Sequence, residues 1–294
     1  MKAFVILLLL MASHNLLAQE TPGDSTTIYR IETSDGNEYI GTILSRSPEQ
    51  IQLKTPRLGI ITLRTVDVVR IEVVLKERIK NDVLWFDNVQ ATRYFFMPNG
   101  YGLKKGEAYY QNVWVVFNQV SVGITDNFSL GLGMIPTFLF GGGGGIPIWL
   151  TPKLSIPLVD DRVNVGAGVF YATLLGGGEG NGVGIAYGLS TFGNKDKNFT
   201  FGLGYGFADG QLANAPTLSF STMIRTGQRG YFLSENYFIS VPGETVALIS
   251  IGGRRIIKRA GLDFGLFAPI VQGQNFFFAA PWLGLTFKLD KKKV

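Results

Sequence analysis

The sequence predicts an all-β protein: a transmembrane antiparallel β-barrel preceded by a small β domain. From Ala91 onward, segments of roughly 10 residues alternate between apolar and small or polar residues, which is typical of strands that cross a membrane. Glycine is concentrated there, with 34 of the 38 glycines at or beyond Gly100. Charge is distributed the other way, with 20 charged residues among the 71 from Glu20 to Gln90 and 28 among the 204 that follow. We infer two regions built for different solvents.

Residues 1–19 have the layout of a secretory signal peptide. Lys2 is followed by an apolar run from Ala3 to Ala12, and Ala18 supplies the small residue expected at a cleavage site. The run is about half of the roughly 20 apolar residues that a membrane-spanning helix needs. The sequence therefore predicts an exported chain rather than one anchored by its N-terminus.

The mature chain has neither cysteine nor histidine, because the only histidine, His14, lies in the signal segment. Catalytic triads, Cys-His pairs, histidine-ligated zinc and thiolate metal sites are therefore excluded. The glycine runs at 141–145 and 176–182 lack the strand-then-helix setting of a dinucleotide site, and no Gly-Lys dipeptide exists for a P-loop. We expect no enzyme activity, no catalytic residue, no cofactor and no metal.

Residues 26–75 alternate in about five short runs separated by turn residues, which predicts a small β domain. The pattern of Asp35, Gly36, Gly41 and Ile43 resembles the Sm-like and SH3-like small barrels. Cytoplasmic Sm-like domains bind RNA, but an exported domain meets none, and the net charge of +5 is mild. We therefore expect no nucleic-acid partner and interpret the domain as a periplasmic docking module, joined to the barrel by a linker at 76–90.

Residues 91–290 predict about twelve transmembrane strands, with ten as the alternative. Eleven segments alternate clearly: 108–125, 128–139, 147–157, 163–174, 183–192, 198–207, 215–225, 230–241, 245–256, 260–270 and 276–289. Single-chain bacterial barrels have an even number of strands, so residues 91–97 are predicted as the missing first strand and 98–106 as the first outer loop. The other outer loops are predicted at 141–145, 176–182, 208–214, 242–244 and 270–274. None of these loops supplies a plug.

The stretch FTFGLGYGF at 199–207 predicts which face is which. Phe199, Phe201, Leu203, Tyr205 and Phe207 are expected to face lipid, and the intervening residues to face the lumen. A charge facing lipid near mid-bilayer costs about 2 to 4 kcal/mol, so charges within strands should also point inward. The candidate lumen-facing residues are Lys153, Asp263, Gly202, Gly204 and Gly206.

The segment from Lys105-Gly106-Glu107 through Tyr109-Tyr110-Gln111-Asn112 to residues 123–129 resembles a group of uncharacterised outer-membrane barrel proteins of Bacteroidetes-type bacteria. That resemblance implies a Gram-negative outer membrane, lipid contact and no assigned activity. Two functions stay open from the sequence. One is a narrow passive pore for small solutes, and the other is a non-conducting structural or assembly barrel whose small domain binds a periplasmic protein.

Overall fold

The computed structural model describes residues 21–22, 27–81, 83–139, 145–176, 182–241, 244–271 and 278–289. The predicted signal peptide and much of the predicted outer loops at 141–145, 176–182, 242–244 and 270–274 lie outside these residues. The described part of the chain divides into two compact units between Trp85 and Phe86. No helix in the described part is long and apolar enough to cross a bilayer.

The first unit is built on an antiparallel sheet. Its strands are β1 (Thr21–Pro22), β2 (Ile28–Thr33), β3 (Glu38–Arg46), β4 (Gln50–Thr55), β5 (Gly59–Arg64) and β6 (Val68–Val74). The order is β5-β4-β3-β2-β6, with β1 paired to β3. The five predicted strands are thus present, but the described residues contain no ladder between β5 and β6, so the sheet is open. The Sm-like and SH3-like assignment stays a prediction.

Alternation in this sheet buries one apolar face. Ile31, Ile43, Ile51 and Leu53 are at most 5% exposed and form the core. The β2–β3 turn needs Gly36, whose φ of 84° favours glycine. The predicted linker contains a 3-10 turn, Lys76–Arg78, and the paired two-residue strands β7 (Ile79–Lys80) and β8 (Val83–Leu84).

The second unit is a closed antiparallel barrel. The strands of this unit are β9 (Ala108–Val113), β10 (Phe117–Gly123), β11 (Phe128–Met134), β12 (Ile146–Val159), β13 (Val163–Leu175), β14 (Val183–Gly193), β15 (Lys197–Ala208), β16 (Gln211–Leu212), β17 (Thr217–Arg225), β18 (Gly230–Val241), β19 (Glu244–Ile257), β20 (Ala260–Val271) and β21 (Ala280–Lys288). Each barrel strand pairs with its sequence neighbour, β16 only extends the end of β15, and β21 pairs with β9.

The predicted count of twelve strands is confirmed among the described residues, but for a different reason. Residues 108–125 form two strands, β9 and β10, rather than one. They are joined by a tight turn in which Trp114 and Val115 have φ of 50° and 65°. Such angles are rare for bulky residues, and no glycine, proline or asparagine marks the turn. Residues 91–97 are not a barrel strand, and 98–106 is not an outer loop.

The two rims of the barrel differ in their connections. We call proximal the rim with the short turns at 124–127, 160–162, 194–196, 226–229 and 258–259, and distal the rim with the connections at 114–116, 135–145, 176–182, 209–216, 242–243 and 272–279. Residue 108, where β9 begins, lies at the proximal rim. Short turns of outer-membrane barrels lie on the periplasmic side.

Alternation on β15 follows the prediction. Phe199, Phe201, Leu203 and Tyr205 are 38–43% exposed on the outer face, while Phe207 at the distal end is half-buried. Strand β14 reverses the expectation that bulk faces outward. Leu189 is 6% exposed in the interior core, and an added Cβ at Gly188 would meet nothing. On β14 the large side chain of Leu189 therefore points into the lumen and fills space there, and the small residue lies on the outer face.

Candidate luminal site

The lumen is occupied by the chain itself. Residues 86–107, which we call the luminal hairpin, enter at the proximal rim, where the Phe86 amide donates to the Gln228 carbonyl at 3.1 Å. They turn back at residues 94–97, where the Tyr94 amide donates to the Met97 carbonyl at 2.9 Å. They return to the proximal rim, where the Gly106 amide donates to Gly123. The sequence reasoning that no plug was present is corrected by this segment.

The tip of the hairpin is held by one carboxylate. Glu235 on β18 is fully buried, and its Oε2 accepts hydrogen bonds from the amides of Phe95, Phe96 and Met97, each at 2.9 Å. Its Oε1 accepts from the Tyr237 hydroxyl at 2.6 Å. Consecutive amides that converge on one point form a concave anion site. The hairpin thus carries the counter-group for a charge that would otherwise be buried and unsatisfied in the lumen.

The incoming arm is held by an arginine. Arg254 on β19 lies directly opposite Asp263 on β20 and forms a two-pronged ion pair with it at 2.6 and 2.8 Å. The same guanidinium donates to the carbonyls of Gln90 and Tyr94, at 2.6 and 2.7 Å. It reaches the side chains of Asn88 and Gln90 as well, both at 3.1 Å. This buried pair therefore joins the barrel wall to the hairpin.

The returning arm is bonded to the opposite wall. The Gly100 amide donates to the Thr191 hydroxyl at 2.6 Å, and the Tyr101 hydroxyl donates to the Gly193 carbonyl at 2.6 Å. Lys153 Nζ donates to the Tyr101 carbonyl at 2.5 Å. An added Cβ at Gly100 would come within 2.5 Å of the Asn164 carbonyl oxygen. The hairpin and this wall are in direct contact.

The structure places the candidate lumen-facing residues as follows. Lys153 is 7% exposed and Asp263 is 1% exposed, and both face inward against the hairpin. Gly202 and Gly204 are buried, and an added Cβ would reach Met97 from Gly202 and Ile185 from Gly204. Gly206 is half-buried near the distal rim, in a different cavity from the two other glycines. The space at Gly202 is therefore taken by the hairpin.

Strands also contribute interior charges that the sequence singled out only as a group. Glu235 and Arg254 are buried inside, as expected for charges within strands. Arg225 lies at the proximal rim, where it pairs with Asp196 at 2.8 Å and donates to the Phe86 carbonyl. No group of three or more acidic, histidine or cysteine side chains that could hold a metal is present among the described residues.

An aromatic cavity of about 350 Å³, which we call the distal cavity, remains above the hairpin tip. Its walls include Trp114, Phe117, Trp149, Phe170 and Trp282, and Phe96 of the hairpin lines it too. Arg93, Gln111 and Gln119 supply its polar groups. A deeper space of about 90 Å³ shares Arg93, Phe96, Gln119 and Phe170 with it.

Sequence reasoning missed the hairpin because its contacts are long-range. Glu235 lies 140 residues from Phe95, and Arg254 lies 164 residues from Gln90. The available signal was composition, since Asn88, Gln90, Arg93 and Asn99 place uncommon polar groups among aromatic residues. Glycines on the lumen-facing positions of the strands were the second signal, because they leave room for a segment inside.

Comparisons with known proteins give only weak structural similarities. No family model matches, and no curated protein matches. One solved structure that matches is a loop-deletion mutant of OmpT, an outer-membrane protein of Vibrio cholerae, with a TM-score of 0.35 at 12% identity over 89% of this chain and 96% of that chain. Another is the outer-membrane expressed OmpT of the same organism, with a TM-score of 0.34 at 12% identity over 89% of this chain and 94% of that chain. These scores carry no argument about activity, and the chain's own strands establish the closed all-β barrel.

Proposed function

We propose that the protein is an outer-membrane β-barrel that its own luminal hairpin keeps closed to passive diffusion, with residues 26–75 as a periplasmic docking module. This is the second of the two functions that the sequence left open. The observation that carries it is the convergence of three hairpin amides on the buried carboxylate of Glu235. A segment held by a charge-assisted bond of this kind is a built part of the lumen, because such bonds are roughly twice as strong as neutral ones.

Membrane insertion is supported by the outer surface of the barrel. Large apolar side chains that are 43–60% exposed cover several strands: Leu132, Leu154, Ile156, Leu203, Ile251, Phe264, Leu266 and Leu283. Soluble monomers rarely expose contiguous apolar patches beyond a few hundred Å². A lipid-facing band is the ordinary explanation in a closed barrel, which has no strand edge to satisfy. The short proximal turns then face the periplasm, on the side where the luminal hairpin enters.

A docking role for the first unit is supported by its exposed apolar residues. Val66, Val69, Val73, Leu58 and Ile60 are 63–81% exposed on or beside the outermost strands β5 and β6. An outermost strand also offers unpaired backbone groups to a further strand. A protein that adds a strand or an apolar face there would fit this module.

Conductance in planar bilayers tests the closed barrel. We expect the wild-type protein to give no stable openings over a range of salts and voltages. The Glu235→Ala variant removes the carboxylate that three amides share, so the hairpin tip loses its anchor and openings should appear. The Asp209→Asn variant, which changes an exposed carboxylate at the distal rim, is the matched control and should stay closed. Stable openings of the wild type would contradict the proposal.

A gated pore is the second candidate function. It is favoured by the small residues on the inner face, because Gly202, Gly261 and Gly265 contact the hairpin and would border open space if it left. The same experiment separates the two. A gated pore predicts rare openings of the wild type that become frequent in Glu235→Ala, whereas a closed barrel predicts none in the wild type.

A further inference from the structure

The interior contains more positive than negative charge among the described residues. Glu235 is taken by the hairpin amides, and Asp263 is paired with Arg254. Two further buried cations, Arg93 and Lys153, have no carboxylate partner among the described residues. A buried charge without a partner costs several kcal/mol. The described residues thus supply no carboxylate to pair with these two cations.

Arg93 is the better placed of the two for a ligand. It is 8% exposed and lines the distal cavity. Its Nη1 donates to Gln111 Oε1 at 3.0 Å, while its buried Nε has no hydrogen-bond partner. Arginine presents donors in a planar fork that fits a carboxylate or phosphate. Arg93 thus lines the cavity over the Tyr109 ring, with its guanidinium carbon 5.8 Å from the ring centre, one donor engaged by a neutral amide and no acidic partner among the described residues, and such a guanidinium favours an anion in the cavity.

Lys153 adds a second positive charge close to Arg93. Its Nζ bonds the Tyr101 carbonyl, and it lines a small space of about 20 Å³ together with Arg93 and Tyr187. Neutral polar groups rather than acids surround these cations, including Gln111, Gln119 and Thr151. No carboxylate is among the described residues that line the distal cavity, so a negative head group there would meet the positive charge of Arg93.

The rest of the distal cavity is apolar. Trp149 is held in place because its Nε1 donates to Gln119 Oε1 at 2.8 Å, and Trp114 is held by a bond from its Nε1 to the Pro281 carbonyl, also at 2.8 Å. Phe96 and Phe170 contact each other edge-on with ring centres 5.4 Å apart. Cavities of roughly 300 to 1,000 Å³ with aromatic walls and a few polar groups are typical small-molecule sites.

We propose that the distal cavity binds a single-chain anionic amphiphile, with its carboxylate or phosphate head at Arg93 and its apolar chain along the aromatic wall. This goes beyond the closed barrel of the proposed function and does not depend on conductance. Neutral hydrocarbons would leave Arg93 without an anion, and sugars would find few polar partners on the wall. An amphiphile matches both ends of the cavity.

Intrinsic fluorescence can report binding directly, because Trp114, Trp149 and Trp282 line the cavity and the chain has only four tryptophans. The fourth is Trp85, which a Trp85→Phe background removes. The full-length protein is placed in nanodiscs of zwitterionic lipid and titrated with decanoate and with the neutral alcohol decanol. We expect a saturable change with decanoate and at least tenfold weaker binding of decanol. Equal affinities, or no saturable change with decanoate, would overturn the proposal.

Variants test the position of the head group. Arg93→Gln should weaken decanoate binding at least tenfold and leave decanol binding unchanged. Arg162→Gln, at an exposed proximal turn, is the matched control and should bind decanoate as the wild type does. Heat-modifiable gel mobility checks that each variant is folded. Undiminished decanoate binding by folded Arg93→Gln would overturn the proposal, and if that variant does not fold, the comparison of decanoate with decanol in the wild type decides alone.

The anion could be supplied as a free amphiphile or by the bilayer. Nanodiscs that contain lysophosphatidylglycerol, an anionic lipid with a single chain, distinguish these sources, since a lipid that enters the cavity would compete with decanoate. Weaker apparent binding of decanoate, relative to zwitterionic discs, assigns the site to a membrane lipid. Unchanged binding assigns it to a free amphiphile.

Discussion

Two regions of this chain use the same strand alternation in opposite ways. In the first unit Arg30 lies opposite Glu72 on the neighbouring strand, and in the barrel Arg254 lies opposite Asp263. Arg30 pairs with Glu72 at 3.3 Å and with Glu38 at 2.5 Å, and the Glu38 side chain is 22% exposed; these pairs lie on the other face of β2 from the apolar core. The barrel pair is 2.6 Å apart, at most 1% exposed, and is itself part of the core.

This difference follows from where each region places its apolar side chains. The sheet of the first unit buries its apolar face, so its ion pairs are additions to a core that already exists. A barrel in lipid places apolar residues outside, so the inside is organised by polar groups. In this lumen those groups are then satisfied by a segment of the same chain, the luminal hairpin. The same substitution should therefore have unequal effects in the two regions.

The largest expected effect is at the buried pair. Arg254→Met leaves Asp263 buried without its partner and removes the bonds to Gln90 and Tyr94, which should cost about 3 to 5 kcal/mol. Arg30→Met should cost less, since its partners are nearer to water. The measurement is the urea midpoint in lipid vesicles, followed by hydrogen exchange of peptides from each region.

The control for this comparison is a double variant. Arg254→Met with Asp263→Leu removes both charges and should recover part of the loss. If the double variant is as unstable as the single one, then the hairpin bonds rather than the charge on Asp263 account for the effect. An Arg30→Met variant as damaging as Arg254→Met would remove the distinction between the regions.

Leucine substitutions compare the buried core of the first unit with the outer face of the barrel. Leu53→Ala opens a cavity in the core of the first unit and should cost about 2 to 5 kcal/mol. Leu203→Ala, on the outer face of β15, exchanges one apolar contact with lipid for another and should cost under about 1 kcal/mol. Leu203→Arg should cost about 2 to 4 kcal/mol near mid-bilayer. If Leu203→Arg is neutral in vesicles, the outer face is not in lipid.

Glycine-to-alanine substitutions compare the inner face of the barrel with its outer face. An added Cβ at Gly202 would lie 2.4 Å from Ser219 Oγ and 2.7 Å from Met97 Cε, so Gly202→Ala must move the Ser219 hydroxyl and the end of the Met97 side chain and should cost about 1 kcal/mol. Gly188→Ala meets nothing and should be neutral or stabilising by up to about 1 kcal/mol. Both are measured as shifts of the urea midpoint. Equal shifts would contradict the placement of the hairpin against Gly202.

Much of the barrel could be predicted because its signal is local. Period-two alternation identified most of the strands, and the parity of barrels identified their number. The turn at Trp114 and Val115 could not be found, since its residues favour strands and its positive φ values are imposed by the surrounding fold. Residues 108–125 were consequently counted as one strand instead of two, and residues 91–97 were counted as a strand although they are not one. These two errors cancelled, so the predicted total of twelve strands was still correct.

The candidate site was predicted only in part, because the sequence indicated which strand residues face the lumen but not that residues 86–107 occupy it. Inward charges followed from the cost of a charge in lipid, and Lys153 and Asp263 are found inside. The expectation that glycine marks the inner face holds on β15 but reverses at Gly188 of β14, where Leu189 fills the lumen. No local pattern in residues 86–107 encodes partners more than 100 residues away, such as Glu235.

The smallest expected effect lies in the first unit, at the exposed turn after β2. The Thr33 hydroxyl donates to Asp35 Oδ1 at 2.6 Å, and Asn37 donates to the same carboxylate, so the pKa of Asp35 lies below its ordinary value. A lowered folded-state pKa contributes stability above the ordinary pKa of about 3.9 that is lost as the pH falls through the folded value. Thr33→Val should raise the pKa of Asp35, as measured by carboxyl NMR titration, and should slightly lower stability at neutral pH but not below pH about 2. The barrel's urea midpoint, measured in the same samples, is the internal control, because no part of this turn belongs to the second unit. An unchanged Asp35 titration in Thr33→Val would show that the hydroxyl bond does not hold this carboxylate.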